Sequence, residues 1–232
     1  MLGKPGRKAR AAVFGVVAVG MCGVLAACSS VKFGSAAIVG DQRITVSSLD
    51  TQVTNLQAEA KPFGSQVQLT AAGMPAAVLS WLIRFQISDQ VSAAAGISVS
   101  QAQAQQGLAS INSQVEQVAQ QDGLSNPQVV LVNAGITQEM LPDLGMFQAQ
   151  ETAFAEKANG GKLPTTSAES NSVQTALTKA QCSAAKTLNI QVNPQFGRLD
   201  YSQYTVVPVT DTLSRPAGVP SPADTTGLAP AC

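Results

Sequence analysis

The sequence predicts a mostly α-helical domain in which helical arms stand on a small β-sheet built from the N- and C-terminal ends of the domain. Three observations carry that prediction. Apolar residues recur at steps of three and four in successive segments between residues 45 and 188, as in helices with one face turned to a core. Short extended stretches lie at the two ends of that region, at residues 35–45 and 188–192. Glycine, proline and asparagine fall at the joints between segments, where they end helices and start turns.

Residues 35–45 hold two extended pieces, Ala36-Ala37-Ile38-Val39 and Gln42-Arg43-Ile44, around the turn pair Gly40-Asp41. Thr45 is the N-cap candidate for a first helix, because Val46, Leu49, Val53 and Leu56 share one face; Lys61-Pro62-Phe63-Gly64 ends it near Ala60. A second helix opens at Met74-Pro75, where proline suits the first turn, and runs to about Ala94 before Gly96. Its Val78, Leu79, Trp81, Leu82, Ile83, Phe85, Ile87 and Val91 cover more than one stripe, which predicts the most buried helix with Trp81 as its central anchor. Trp81 and Phe85 read either as core residues or as an aromatic pair that contacts a ligand.

Gly96-Ile97-Ser98-Val99-Ser100 is a connector ending in a cap, followed by a long helix to about Gln121 in which Ala104, Leu108, Ile111, Val115 and Val118 form the apolar seam. Gln101, Gln103, Gln105, Gln106, Gln114, Gln117 and Gln120 occupy its other faces: a solvated surface, or one that hydrogen-bonds extended peptide backbone. Residues 126–133 predict a short helix, and residues 137–158 a longer one with Met140, Leu144, Phe147 and Phe154 inward. Residues 159–164 are a linker. Ser167 or Ser170 caps the last helix, whose stripe is Val173, Leu177, Ala180 and Ala184, and residues 188–192 are a strand. The domain is therefore read as residues 35–200, with residues 201–232 a Pro-, Ser- and Thr-rich tail, mobile from Asp211 onward because it has too few large apolar residues to pack.

Ahead of the domain, Lys4, Arg7, Lys8 and Arg10 precede an uncharged run at residues 11–25, shorter than the roughly 20 apolar residues that span a bilayer. It reads as the core of a signal peptide covering residues 1–27. Leu25-Ala26-Ala27-Cys28 resembles the bacterial lipobox, in which the cysteine receives diacylglycerol and becomes the first residue of the mature protein. Cys28 would then fix the protein to the extracytoplasmic face of the cell membrane through residues 28–34; the other reading is an ordinary secretory signal. The leader holds four of the fourteen basic residues and none of the fourteen acidic ones, which leaves ten against fourteen and a net charge of −4 beyond it. Without a basic cluster, nucleic acid is not an expected partner.

The chain has no histidine, which removes Ser-His and Cys-His catalysis and the usual zinc ligand sets. No phosphate-cradling glycine motif follows a strand. The expectation is a protein that is not an enzyme and takes neither cofactor nor metal. Cys22 leaves with the leader and Cys28 is acylated, so two thiols stay, Cys182 and Cys232. In an oxidising compartment they either pair or stand alone. A disulfide is the expectation, because Cys182 lies nine residues after Val173, about 900° around the helix and so opposite its apolar stripe, where a returning tail could reach it.

Three stretches resemble the SurA/PrsA-type chaperones, in the actinobacterial lipoprotein branch that carries a SurA N-terminal-like domain. They are Ala36-Ala37-Ile38-Val39-Gly40-Asp41-Gln42-Arg43-Ile44-Thr45 with Leu49-Asp50, then Gly96-Ile97-Ser98-Val99-Ser100, then Leu188-Asn189-Ile190-Gln191-Val192-Asn193-Pro194-Gln195-Phe196-Gly197-Arg198-Leu199-Asp200. The resemblance implies a SurA N-terminal/PrsA foldase-like fold over about residues 35–200. Foldases of this type carry a parvulin prolyl-isomerase domain of roughly ninety residues before the final helix, and here that position offers only residues 159–167. The implied function is that of a non-catalytic chaperone holding unfolded or partly folded exported polypeptides, and the other reading is a scaffold lipoprotein with one specific envelope partner. Met74, Met140 and Met146 are candidates for an adaptable groove wall or for core filling.

Overall fold

The computed structural model describes residues 34–208. The signal peptide, Cys28, Cys232 and the tail from residue 209 lie outside the described residues. Strands β1 (Ser35–Val39) and β2 (Gln42–Thr45) form an antiparallel hairpin. Gly40 turns it at φ 60°, a left-handed conformation that glycine adopts without strain. Helices α1 (Val46–Ala60), α2 (Met74–Ala94), α3 (Gln101–Gln121), α4 (Gln128–Asn133), α5 (Leu141–Ala158) and α6 (Ser167–Leu188) follow. The chain then returns to the sheet as β3 (Gln191–Val192). β3 pairs with β1, giving the order β2-β1-β3, and Asn193 adds a backbone bond to Ala36 O at 2.9 Å and a side-chain bond to Ser35 O at 3.1 Å. The two ends of the domain thus close one sheet, as the extended stretches predict.

The helix boundaries follow from local chemistry. Thr45 caps α1 by accepting from Ser48 N, and Ser100 caps α3 in a reciprocal pair with Gln103, each satisfying amides that a helix start leaves unpaired. α6 starts one residue earlier than the Ser167 or Ser170 reading allows. Glu169 accepts from the backbone of Thr165 and Thr166 at 2.7 and 3.0 Å, which selects Thr166 as the cap. α6 also continues to Leu188, shortening the predicted 188–192 strand to two residues.

One cluster of buried side chains joins the sheet to the helices: Ala36, Val39, Leu49, Leu56, Val78, Leu79 and Ile83 are fully buried within it. α2 runs through its centre, touching α1, α5, α6 and β1. α3 sits at the edge of this core, with Ile111 and Val115 half-buried against it, and packs mainly along α5. Their backbones approach closely at Gly107 and Gly145: a Cβ on either would run into the other helix, at Gly145 O in the first case and Ala104 O in the second.

The predicted domain end at Asp200 needs correction. β4 (Arg198–Asp200) and β5 (Thr205–Val207) form a second antiparallel sheet, and β5 packs on α2. Val206 N donates to Ser80 Oγ at 2.8 Å, Arg84 donates to Gln203 O at 2.9 Å, and Tyr204 and Val206 are buried. Each strand is only three residues long, too short to show an alternating pattern in the sequence. The ordered domain extends through Val207.

Candidate functional site

Two helices place matching stripes opposite each other. On α2, Leu82, Phe85, Gln86 and Asp89 follow the i, i+3, i+4, i+7 spacing; on α5, Asp143, Met146, Phe147 and Gln150 repeat it. Such residues share one helix face. Arg43 and Ile44 on β2 and Ser48 in the first turn of α1 close the third side. The result is an open cleft of about 270 Å³ with an apolar floor and a polar rim.

The floor is fixed by aromatic packing. Phe85 and Phe147 lie 5.9 Å apart between ring centroids, and Trp81 stacks behind both at 5.8 and 5.9 Å, edge-on to Phe147. Phe85 is buried, whereas Phe147 and Met146 are half-buried and reach the cleft surface. Trp81 is half-buried too, which corrects its predicted role as the central anchor of the core. Its indole N–H donates to Ala134 O at 2.8 Å and Arg84 lies over its ring at 5.0 Å. A tryptophan needs a partner for that N–H, and α2 finds one at the edge of the core, where α4 ends. Met74 and Met140 are core filling; Met146 alone of the three methionines proposed for the groove lines it.

The polar groups of the rim are partly committed. Gln150, itself buried, accepts from Ser88 Oγ at 2.7 Å and donates to Asp89 at 2.8 Å, tying α5 to α2 under the cleft. Burial pushes the Asp143 carboxyl above its ordinary value, and the neighbouring Asp89 charge adds to the shift. Deeper along the same helix pair, burial raises Glu151 against the opposing pull of Arg84, and burial lowers Arg84 with Glu151 acting the other way. The Gln-rich face of α3 is exposed and takes no part in the cleft. Gln103 is spent on the α3 cap and Gln114 donates to Ser110.

Among the described residues, no group of three His, Cys, Asp or Glu side chains is placed to hold a metal. No described helix is long and apolar enough to cross a membrane. Of the predicted site residues, only Cys182 is described: it is buried rather than outward-facing, and it is disulfide-bonded. Its burial comes with Ala185, one turn on along α6, a second buried strip that the single-stripe reading of the helix overlooked. The other cysteines, Cys22, Cys28 and Cys232, lie outside the described residues. The cleft itself was not read from the sequence, although the two i, i+3, i+4, i+7 stripes are present in it. Nothing in one sequence says that these two stripes face each other.

The family model for the SurA-like N-terminal domain matches residues 7–142. That is more than half of the chain, and the chain belongs to this family. The match takes in β2 and the α2 wall of the cleft and ends at the start of α5. No curated protein and no solved structure matches the chain.

Proposed function

We propose that the protein is a lipid-anchored, non-catalytic chaperone that holds unfolded exported polypeptides in the α2–α5 cleft. One observation carries the reading: an open cleft on a SurA-like N-terminal domain whose walls combine phenylalanine, methionine and amide side chains. A floor of this kind accepts apolar side chains of many shapes, since methionine adapts and aromatic faces are not selective. Gln86 on the rim offers both a donor and an acceptor to a peptide backbone. The resemblance to foldases would put an isomerase before the final helix, and only residues 159–166 join α5 to α6, so binding without catalysis is the activity proposed.

The anchor is Cys28, acylated after cleavage behind Ala27, and the disulfide partner of Cys182 is Cys232, the one other thiol left in the mature chain. The Cys28→Ala protein is then released from membranes, because two acyl chains hold stably where one does not. Retention after a salt wash would refute the anchor.

The binding test uses the purified protein with several unrelated unfolding proteins. It should slow their aggregation, and Met146→Glu should weaken that effect with the fold kept; Phe147→Gln should weaken it too, at some cost in melting temperature because its ring packs on Trp81 and Phe85. Aggregation unaffected in every case, with one envelope protein co-purifying, would instead establish a scaffold for one partner.

A further inference from the structure

The cleft is not electrically neutral, and its charge is set beside its apolar floor. Asp89 stands one turn after Phe85 on α2, and Asp143 one turn before Met146 and Phe147 on α5. Both residues are exposed as a whole, the Asp143 carboxyl being partly desolvated where it meets the cleft wall, and the charge of Asp89 disfavours that of Asp143. Asp89 holds a single described hydrogen bond, from Gln150. A carboxylate pair of this kind has unused acceptor positions and a mutual repulsion that a cation between them would relieve. Arg43, the remaining charged group of the lining, belongs to β2 and has a contact of its own.

Resting on the polypeptide-binding reading above, we propose that the cleft selects extended segments in which an apolar or aromatic side chain is followed by lysine or arginine. The apolar side chain sits on Phe85, Met146 and Phe147, and the cation reaches Asp89 and Asp143. In an extended peptide, neighbouring side chains point to opposite faces, while a long Lys or Arg stem can still lie along the cleft wall and bring its head to the rim. Charge complementarity of this kind favours a basic segment and rejects an acidic one.

The experiment uses the full chain and three unstructured twelve-residue peptides that differ at one position, a phenylalanine followed by Lys, Gln or Glu. Trp81, the single tryptophan of the chain, contacts both phenylalanines of the floor and reports binding by its emission. The expected order is Lys, then Gln, then Glu, with about a three- to tenfold step in affinity between the first and last, the scale of one or two exposed ion pairs. That step should shrink in 1 M salt. Asp89→Asn with Asp143→Asn should erase the order, bringing the three peptides to one affinity whatever its level; an asparagine at 89 still accepts from Gln150, and melting curves check that the variant folds. Equal binding of all three peptides, lost in Phe147→Gln, would overturn the charge selection and leave the polypeptide-binding reading standing. Binding of none would overturn both.

Discussion

At the scale of single residues, polar atoms decide where the large side chains of this protein sit. Trp81 carries more apolar surface than any neighbour, yet its N–H holds it at the core edge against Ala134 O. Trp81→Phe keeps a ring against Phe85 and Phe147 but leaves that carbonyl without its donor. The loss should be about 1 kcal/mol in urea unfolding, well short of the 3–5 kcal/mol typical when a fully buried aromatic is truncated to alanine. Asp143 shows the same competition in its ionisation. Its carboxyl is raised above the ordinary value of 3.8 by burial first and by Asp89 second, so the fold favours the protonated form. Below 3.8 both folded and unfolded chains are protonated and the group is neutral for stability. As pH rises through the folded value, the fold takes on a charge it disfavours and stability falls. Asp143→Asn should therefore melt higher than the parent at pH 7, with an advantage that fades on acidification and is gone below the unfolded value.

At the scale of elements, what the sequence disclosed and what it withheld divide along physical lines. Caps and proline starts are local, so the boundaries of α1, α2 and α3 fall where Thr45, Met74-Pro75 and Ser100 place them. The α6 cap was misplaced because Thr165, Thr166 and Ser167 are all suitable residues, and the choice among them rests with one side chain, Glu169. The cleft and the α3–α5 crossing are long-range facts, and the periodicity of one helix does not name its partner. At that crossing the heptad of α3 marks the right face, but the closest approach is made by Gly107 and Gly145, which contribute no apolar surface to the pattern. Gly145→Val puts a branched side chain against Ala104 O and the Leu108 Cβ. Such overpacking costs about 1–3 kcal/mol, more than the roughly 1 kcal/mol gained when a helix interior loses a glycine. The variant should melt several degrees lower, with the loss of α3 protection visible first in hydrogen exchange, since α3 meets the main core only at its edge, through half-buried Ile111 and Val115.

At the scale of the whole molecule, the domain is held by what its C-terminal part returns to. β3 comes back to β1 across the full length of the helical region, and the β4–β5 hairpin then lies along α2, the one helix in contact with nearly every other part of the core. The hairpin's grip is specific. Ser80 accepts from Val206 N while its own hydroxyl donates to Ala76 O, Arg84 reaches Gln203 O, and Tyr204 is held at φ 52° with its side chain buried. A left-handed tyrosine is a strained arrangement that persists only where its surroundings hold it, which marks the hairpin as a packed part of the domain and not the beginning of a tail. Two shortened chains separate these descriptions. One stops after Asp200 and the other after Pro208; both lack residues 209–232, so that segment does not distinguish them. The shorter chain leaves β4 without a partner, uncovers Ser80 on α2, and loses the burial of Tyr204 and Val206, each worth about 1.5–3 kcal/mol at full burial. An expected deficit of about 3–6 kcal/mol is a large part of the roughly 5–15 kcal/mol that holds a domain folded. Circular dichroism in urea should show the chain ending at 208 unfolding cooperatively and the chain ending at 200 largely unfolded at low denaturant. Equal midpoints for the two would mean that the hairpin rests on α2 without stabilising it, and that the domain is complete at Asp200.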